Sequence, residues 1–178
     1  MNRVKPIYQP EKDNSHWRKL LFELAERFEG SLAIIFPEEW NDQYFSWFHS
    51  IEETSFRLEL LYSFEDVAKI LEKPDLVFWF VTADGEPQIL FLGYSMSHEP
   101  VKSFYLDTLA VRRSGKGIGH IVMGFLIRWA RTKRYRSIIL DTELTDEKGM
   151  PLQQFYAEHG FEIIARSETG NITMKCIL

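Results

Sequence analysis

The sequence predicts an α/β fold: a mixed, mostly antiparallel central sheet flanked by helices, with one additional helix ahead of it. Three stretches carry that prediction. Residues 76–111 read as three strands joined by short turns, which makes an antiparallel meander. Residues 119–142 read as an amphipathic helix followed by an apolar strand, the crossover that sets two strands parallel. Residues 161–177 read as a closing hairpin.

In chain order, Pro6 and Pro10 make residues 1–12 an extended lead-in. Asn14 or Ser15 caps a helix to about residue 29, with Trp17, Leu20, Leu21, Leu24 and Phe28 at helical spacing and Gly30 as its stop. Residues 32–36 are an apolar strand. Pro37 then opens a helix to about residue 54 that carries Trp40, Tyr44, Phe45, Trp47, Phe48 and Ile51. Aromatics on two sides of a helix usually mean core, and part of this helix is also a candidate pocket wall. A shorter helix near 64–71 is closed by Pro74. Strands at 76–82 and 89–97 flank the turn Ala83-Asp84-Gly85-Glu86, and a third strand spans 103–111. The helix from Gly119 places Ile118, Val122, Phe125, Leu126 and Trp129 on one face. A strand at 137–142, a helix at 153–159 stopped by Gly160, and strands at 161–165 and 172–177 complete the chain. One domain is expected over 1–178: a helical extension at 1–30, variable substrate-side helices at 31–75, and a ligand-binding core at 76–178.

Composition narrows the class. A 45% hydrophobic content with 14 Phe argues against disorder. No apolar run approaches a membrane span, and the first residues lack an apolar signal core, so a cytoplasmic protein off the membrane is expected. The single Cys176 excludes an internal disulfide and a cysteine metal cluster and fits a reducing compartment, and no metal is expected. A net charge of −5 argues against general nucleic-acid affinity. The distribution says more. Eight of the 21 basic residues, and none of the 26 acidic ones, lie between Asp107 and Asp141. A basic window suits a polyanionic ligand, and the acidic remainder suits a cationic one. For Arg131 to Arg136 a solvated helix face is the simpler reading.

Inside that window lies a strand, a glycine turn and the start of a helix. Gly115, Gly117 and Gly119 alternate with Lys116 and Ile118. Glycines so spaced let backbone N–H groups point at a ligand, and the helix N-terminus adds a positive end, so the turn is a candidate phosphate site. A P-loop fails, because Lys116 is followed by Gly117. A dinucleotide fingerprint fails too, because the third glycine comes one residue early and Asp141 is badly spaced for the ribose. A tight turn without a ligand is the bland alternative.

The turn closely resembles the pyrophosphate loop of the GNAT acetyltransferase superfamily, R/Q-x-x-G-x-G/A after a strand ending apolar-Ala-Val. Leu109-Ala110-Val111 gives the triplet, and residues 114–119 give the loop with Ser114 in place of Arg or Gln. Residues 112–117 match the letters two positions earlier; the later register starts the helix at the third glycine. A second motif, Phe155-Tyr156-Ala-Glu-His-Gly160-Phe161, is similar to the family's F-Y-x-x-x-G-F. Gly149 stands where the family often has an Asn, seven residues before the Tyr. The match covers roughly 76–165, and the element order agrees.

The resemblance implies that acetyl-coenzyme A wedges between splayed parallel strands at 103–111 and 137–142. Backbone of Leu109, Ala110 and Val111 would pair with its pantetheine arm. Amides of Gly115, Lys116, Gly117, Ile118, Gly119 and His120 would hold the pyrophosphate, and Arg112, Arg113 or Lys116 would meet the 3′-phosphate. Tyr156 would donate a proton to the leaving thiolate.

Acyl transfer to an amine also needs the nucleophile neutral, and an alkylamine has a pKa near ~10.4. A carboxylate or a water chain must remove its proton. Asp107 is the first candidate, expected on the strand face of Leu109 and Val111. Glu143 and Asp141 follow, then His98. Cys176 reads as core, so direct transfer in a ternary complex is expected. The reading is an N-acetyltransferase acting from acetyl-coenzyme A on an amine-bearing small molecule or peptide. The alternative is a non-catalytic acyl-coenzyme A sensor or partner module. A homodimer is compatible with the sequence. A cationic acceptor is favoured by the acidic residues around the splay, against an arylamine selected by the aromatic helix.

Overall fold

The computed structural model describes residues 15–96, 102–113, 115–145, 149, 151–168 and 170–178. The elements run α1 (Ser15–Ala25), β1 (Leu32–Ile35), α2 (Asp42–Glu52), a 3₁₀ turn (Leu58–Leu60), α3 (Phe64–Ile70), β2 (Val77–Ala83), β3 (Glu86–Met96), β4 (Ser103–Val111), α4 (Ile118–Thr132), β5 (Ser137–Thr142), α5 (Leu152–Ala157), β6 (Phe161–Arg166) and β7 (Ile172–Ile177). Among the described residues seven strands lie in the order β1-β2-β3-β4-β5-β7-β6, and of these only β4 and β5 pair in parallel.

The sheet is covered on both faces, which explains the unbroken apolar run of β2. Val77, Trp79 and Val81 pack with α1 and α4, while Phe78 and Phe80 pack with α2 and α3. Alternation on a strand sends neighbours to opposite faces, so a strand covered on both faces needs no polar residue. On the first face Trp79 stacks on Phe91 at 4.8 Å, and Trp17 of α1 sits edge-on to Trp79 at 6.2 Å. The extra helix is further held by Glu23, whose carboxylate accepts from the Arg128 guanidinium at 2.8 Å.

Several boundaries differ from the expected ones. Asn14 lies outside the described residues, and α1 ends at Ala25 rather than near 29. The aromatic helix begins at Asp42, not at Pro37: Asn41 caps it, its Oδ1 accepting from the Tyr44 N–H at 3.1 Å, and a helix starts where a side chain satisfies its first free N–H groups. The aromatics of this segment pack on the core. Trp40 and Phe48 are buried, Tyr44, Phe45 and Trp47 pack against them, and the Trp40 indole donates to the Phe64 carbonyl at 3.1 Å. The last helix spans Leu152–Ala157, shorter than expected. No described helix is long and apolar enough to cross a membrane.

Two irregularities build the site. The β4–β5 ladder joins Ser103–Tyr105 to Ser137–Ile139 and goes no further, although both strands continue, so their C-terminal halves splay. A bulge interrupts β3–β4: Leu92 pairs with Thr108 and Gly93 with Leu106, leaving Asp107 unmatched. Gly93 permits it, because a Cβ there would stand 2.5 Å from the Phe104 ring and 2.7 Å from the Tyr105 carbonyl.

Candidate active site

The splay opens a cleft of about 770 Å³. One wall is β4 from Leu106 to Val111, and the other comes from Leu140, Asp141, Thr142 and Glu143 at the end of β5. Because the ladder stops early, the β4 edge beside Leu109–Val111 has no β5 partner and is free to pair with an extended ligand.

At one end of the cleft lies the glycine turn. Gly115 and Gly117 have φ of 92° and 70°, in the left-handed region that favours glycine. Gly117 is the N-cap of α4, with no side-chain cap. The helix thus starts one residue before the expected third glycine. Ile121 is the first to bond back, its N–H meeting the Gly117 carbonyl at 3.2 Å, so the amides of Ile118, Gly119 and His120 are left for a ligand. A Cβ on Gly119 would approach the Phe155 ring at 3.2 Å, so α4 lies close against α5.

The three expected cations divide. Arg113 lines the cleft. Lys116 turns its Nζ to the Arg27 carbonyl at 3.3 Å, and Arg112 faces the Glu86 carboxylate at 3.8 Å; neither lines the cleft. His120 does line it, with Nδ1 2.9 Å from Nε2 of His159. Burial, then the neighbouring His120, holds His159 below its ordinary pKa. Ser114 lies outside the described residues.

The other end is acidic. Glu52, Glu53, Asp107, Asp141 and Glu143 all line it. Asp107 does not share a face with Leu109 and Val111. Those two pack with the α1–α4 core, whereas the Asp107 carboxylate turns toward Tyr62, which packs with the α2–α3 core. The bulge inserts one residue, and one residue reverses the alternation. Asp107 Oδ1 accepts from the Tyr62 hydroxyl at 3.2 Å and the Thr108 hydroxyl at 3.0 Å. Burial pushes its pKa up against these bonds and the Lys73 charge.

Glu143 is ion-paired with Arg57, which reaches across from the segment after α2. Asp141 accepts from the Tyr105 hydroxyl at 2.8 Å and from Thr173 at 2.5 Å. His98, Asp146 and Glu147 fall outside the described residues. Tyr156 lines the cleft from α5, its ring between those of Phe155 and Phe161, and burial pushes its hydroxyl up to about 12. Cys176 is buried on β7, with burial raising its pKa, and does not line the cleft. Among the described residues no cluster of His, Cys, Asp or Glu is arranged to hold a metal ion.

A model of the Acetyltransferase (GNAT) family matches residues 32–161. The chain belongs to that family. Similar solved structures carry the same GNAT fold. Ard1 from Thermoplasma volcanium aligns with a TM-score of 0.63 at 20% identity, covering 83% of this chain and 97% of that one. The ribosomal-protein-S18-alanine N-acetyltransferase from Escherichia coli aligns with 0.62 at 13% identity, covering 83% and 94%. Arabidopsis thaliana Naa50, solved with the bisubstrate analogue CoA-Ac-MVNAL, aligns with 0.60 at 15% identity, covering 83% and 99%. No curated protein sequence matches the chain.

GNAT membership supports acyl transfer from an acyl-coenzyme A as the general chemistry of this chain. Sequence reading missed Glu52, Tyr62 and Arg57. Of these only Glu52 left a signal: it follows Phe48 by four residues on the apolar stripe of α2, an odd place for a carboxylate.

Proposed function

We propose that this protein is an N-acetyltransferase that moves an acetyl group from acetyl-coenzyme A to a primary, cationic amine, by direct attack in a ternary complex in the cytoplasm. The observation that carries the reading is the polarity of this cleft: free helix amides and Arg113 at one end, carboxylates at the other. The donor's phosphates suit the first end and an ammonium the second. The free edge of Leu109–Val111 suits the pantetheine arm as an added strand.

In this reading the amine nitrogen attacks the thioester carbon, and Asp107 accepts the proton that the nitrogen loses as the C–N bond forms. The C–S bond breaks, and Tyr156 gives its proton to the sulfur. A tyrosine held above its ordinary pKa stays protonated at neutral pH and is available as the donor. Glu143, tied to Arg57, shapes the acceptor mouth rather than removing protons. Cys176 stands outside the cleft, which favours direct transfer over a thioester intermediate. The aromatics of α2 pack on the core and none lines the cleft, and this favours a cationic acceptor over an arylamine.

A thiol-release assay with spermidine, lysine peptides and arylamines under identical conditions tests the proposal. Turnover of the alkylamines is expected. Acetyl-coenzyme A binding without turnover of any amine would replace the enzyme with a sensor of the cofactor.

A further inference from the structure

We propose that Glu52 is a second proton acceptor, the group that takes the first proton from the incoming ammonium before Asp107 takes the other. The inference rests on the acyltransferase reading above and deepens it.

The chemistry requires two departures. An alkylammonium must lose one proton to expose its lone pair and a second as the amide forms. Tyr156 gives its proton to the thiolate and accepts neither, which leaves two proton acceptors to find. The acceptor end holds two that are linked through one residue. The Tyr62 backbone N–H donates to Glu52 Oε2 at 3.3 Å, and the Tyr62 hydroxyl donates to Asp107 Oδ1 at 3.2 Å.

The two are not equivalent. Asp107 accepts two hydroxyl hydrogen bonds, which favour its ionised form. Glu52 accepts one long backbone bond. Glu52 is also only 1% exposed while still lining the cleft, so its charged form is poorly solvated. A desolvated, weakly bonded carboxylate is the stronger base. Once ionised, which the fold allows as pH rises through about 8, it would take a proton from an arriving ammonium, which then enters the cleft as the neutral nucleophile. Among the described residues no cation acts on it that would undo this. Asp107 from β4 and Tyr62 face Glu52, and Tyr94 from β3 faces Tyr62. Lys73 acts on Asp107, Tyr105 is taken by Asp141, and His49 pairs with Glu53.

The protons balance. Glu52 and Asp107 gain one each, and the sulfur gains the one Tyr156 gives up. Asp107 then restores Tyr156 through solvent, and Glu52 releases its proton to bulk water. The net products are amide, free thiol and one proton.

The test is the pH profile of kcat/KM for an alkylamine in wild type, Glu52→Gln and Tyr62→Phe, with acetyl-coenzyme A affinity measured by calorimetry in each. Wild type should show a limb rising with a midpoint at about 8, the value to which burial pushes Glu52. Glu52→Gln should lose that limb and about 10²-fold of its rate, in the range of general acid–base contributions, with donor affinity unchanged. An acceptor of low basicity, neutral at pH 7, should recover most of that loss. Tyr62→Phe leaves the backbone bond to Glu52 intact and should keep the limb while lowering the plateau. Retention of the limb in Glu52→Gln, or an equal loss with the weakly basic acceptor, would overturn the role while leaving acyl transfer in place. A wild type that turns over no amine removes the acyltransferase reading and this role with it. Infrared difference spectra report on Glu52 without turnover: a protonated-carboxyl band lost near pH 8 in wild type should be missing from Glu52→Gln, and its absence from wild type would also overturn the inference.

Discussion

Replacing Glu52 by Gln should stabilise the fold by an amount that grows with pH. Burial, against the single backbone bond from Tyr62 and with added repulsion from Asp107, raises its pKa from 4.5 to about 8. A folded pKa above the unfolded one means the stabilising contribution is complete below about 4.5 and is lost as pH rises through about 8. At pH 7 the unfolded chain has released this proton and the folded chain still holds it. At 1.36 kcal/mol per pH unit, the cost above 4.5 is about 3 kcal/mol. That figure is an upper bound, because water in the cleft relaxes around any charge.

Gln has the shape of the protonated acid and accepts from the Tyr62 N–H through its own oxygen, so the variant avoids the cost. Asp107 remains in both chains, and its repulsion is already contained in the raised Glu52 value. Urea denaturation of both proteins at pH 5, 7 and 9 measures the gap. It should be small at pH 5, reach about 3 kcal/mol at pH 7 and level off above pH 8. The Tm difference at pH 7 should be on the order of 6–12 °C for a chain of this size. A gap independent of pH, or a variant less stable at pH 9, would mean that Glu52 is ionised and well solvated in the fold, and the proton-acceptor role would lose its basis.

Gly117→Glu should reduce acetyl-coenzyme A affinity at least ~10²-fold by calorimetry, since it puts a side chain at φ 70° and a negative charge beside the free amides of α4. Tyr156→Phe keeps the packing on Phe155 and Phe161 and should lower kcat by about 10²-fold with donor affinity unchanged; full turnover would make the hydroxyl a bystander. Gly93→Ala forces a Cβ against the Phe104 ring and the Tyr105 carbonyl. It should cost about 1–3 kcal/mol by denaturation and depress kcat through the bulge that aims Asp107.

What was legible in the sequence is what short-range chemistry decides. The turn at 83–86, the glycine turn, the amphipathic stripe of α4 and the parallel crossover all rest on residues near one another, and all appear where expected. The start of α2 was misplaced because Pro37 and Asn41 both signal a helix N-terminus. The side-chain cap at Asn41 prevailed, and Trp40 ahead of it went to the core through Phe64. Arg112 and Lys116 were assigned by position in the motif. Their partners, Glu86 and the Arg27 carbonyl, lie far off in the chain, and nothing local announces them.

The acceptor end was the least legible part, and both reasons are tertiary. A strand's alternation is a sound guide only while the ladder is regular. The shift at Leu92 and Gly93 is invisible in β4 itself, yet it turns Asp107 from the helix-covered face of α1 and α4 toward Tyr62. Asp107 was therefore picked correctly as cleft-lining on a mistaken view of its face. Glu52 fails differently. Its place on the apolar stripe of α2 hints at burial, but in Ile51-Glu52-Glu53 it also reads as the solvated end of a helix, and the Tyr62 N–H and the cleft it lines come from other segments. A carboxylate enclosed in this way is unfavourable to fold stability, and among the described residues no cation acts on it. That cost is what an unassisted structural residue would not be expected to carry, and it is the reason for reading Glu52 as part of the chemistry.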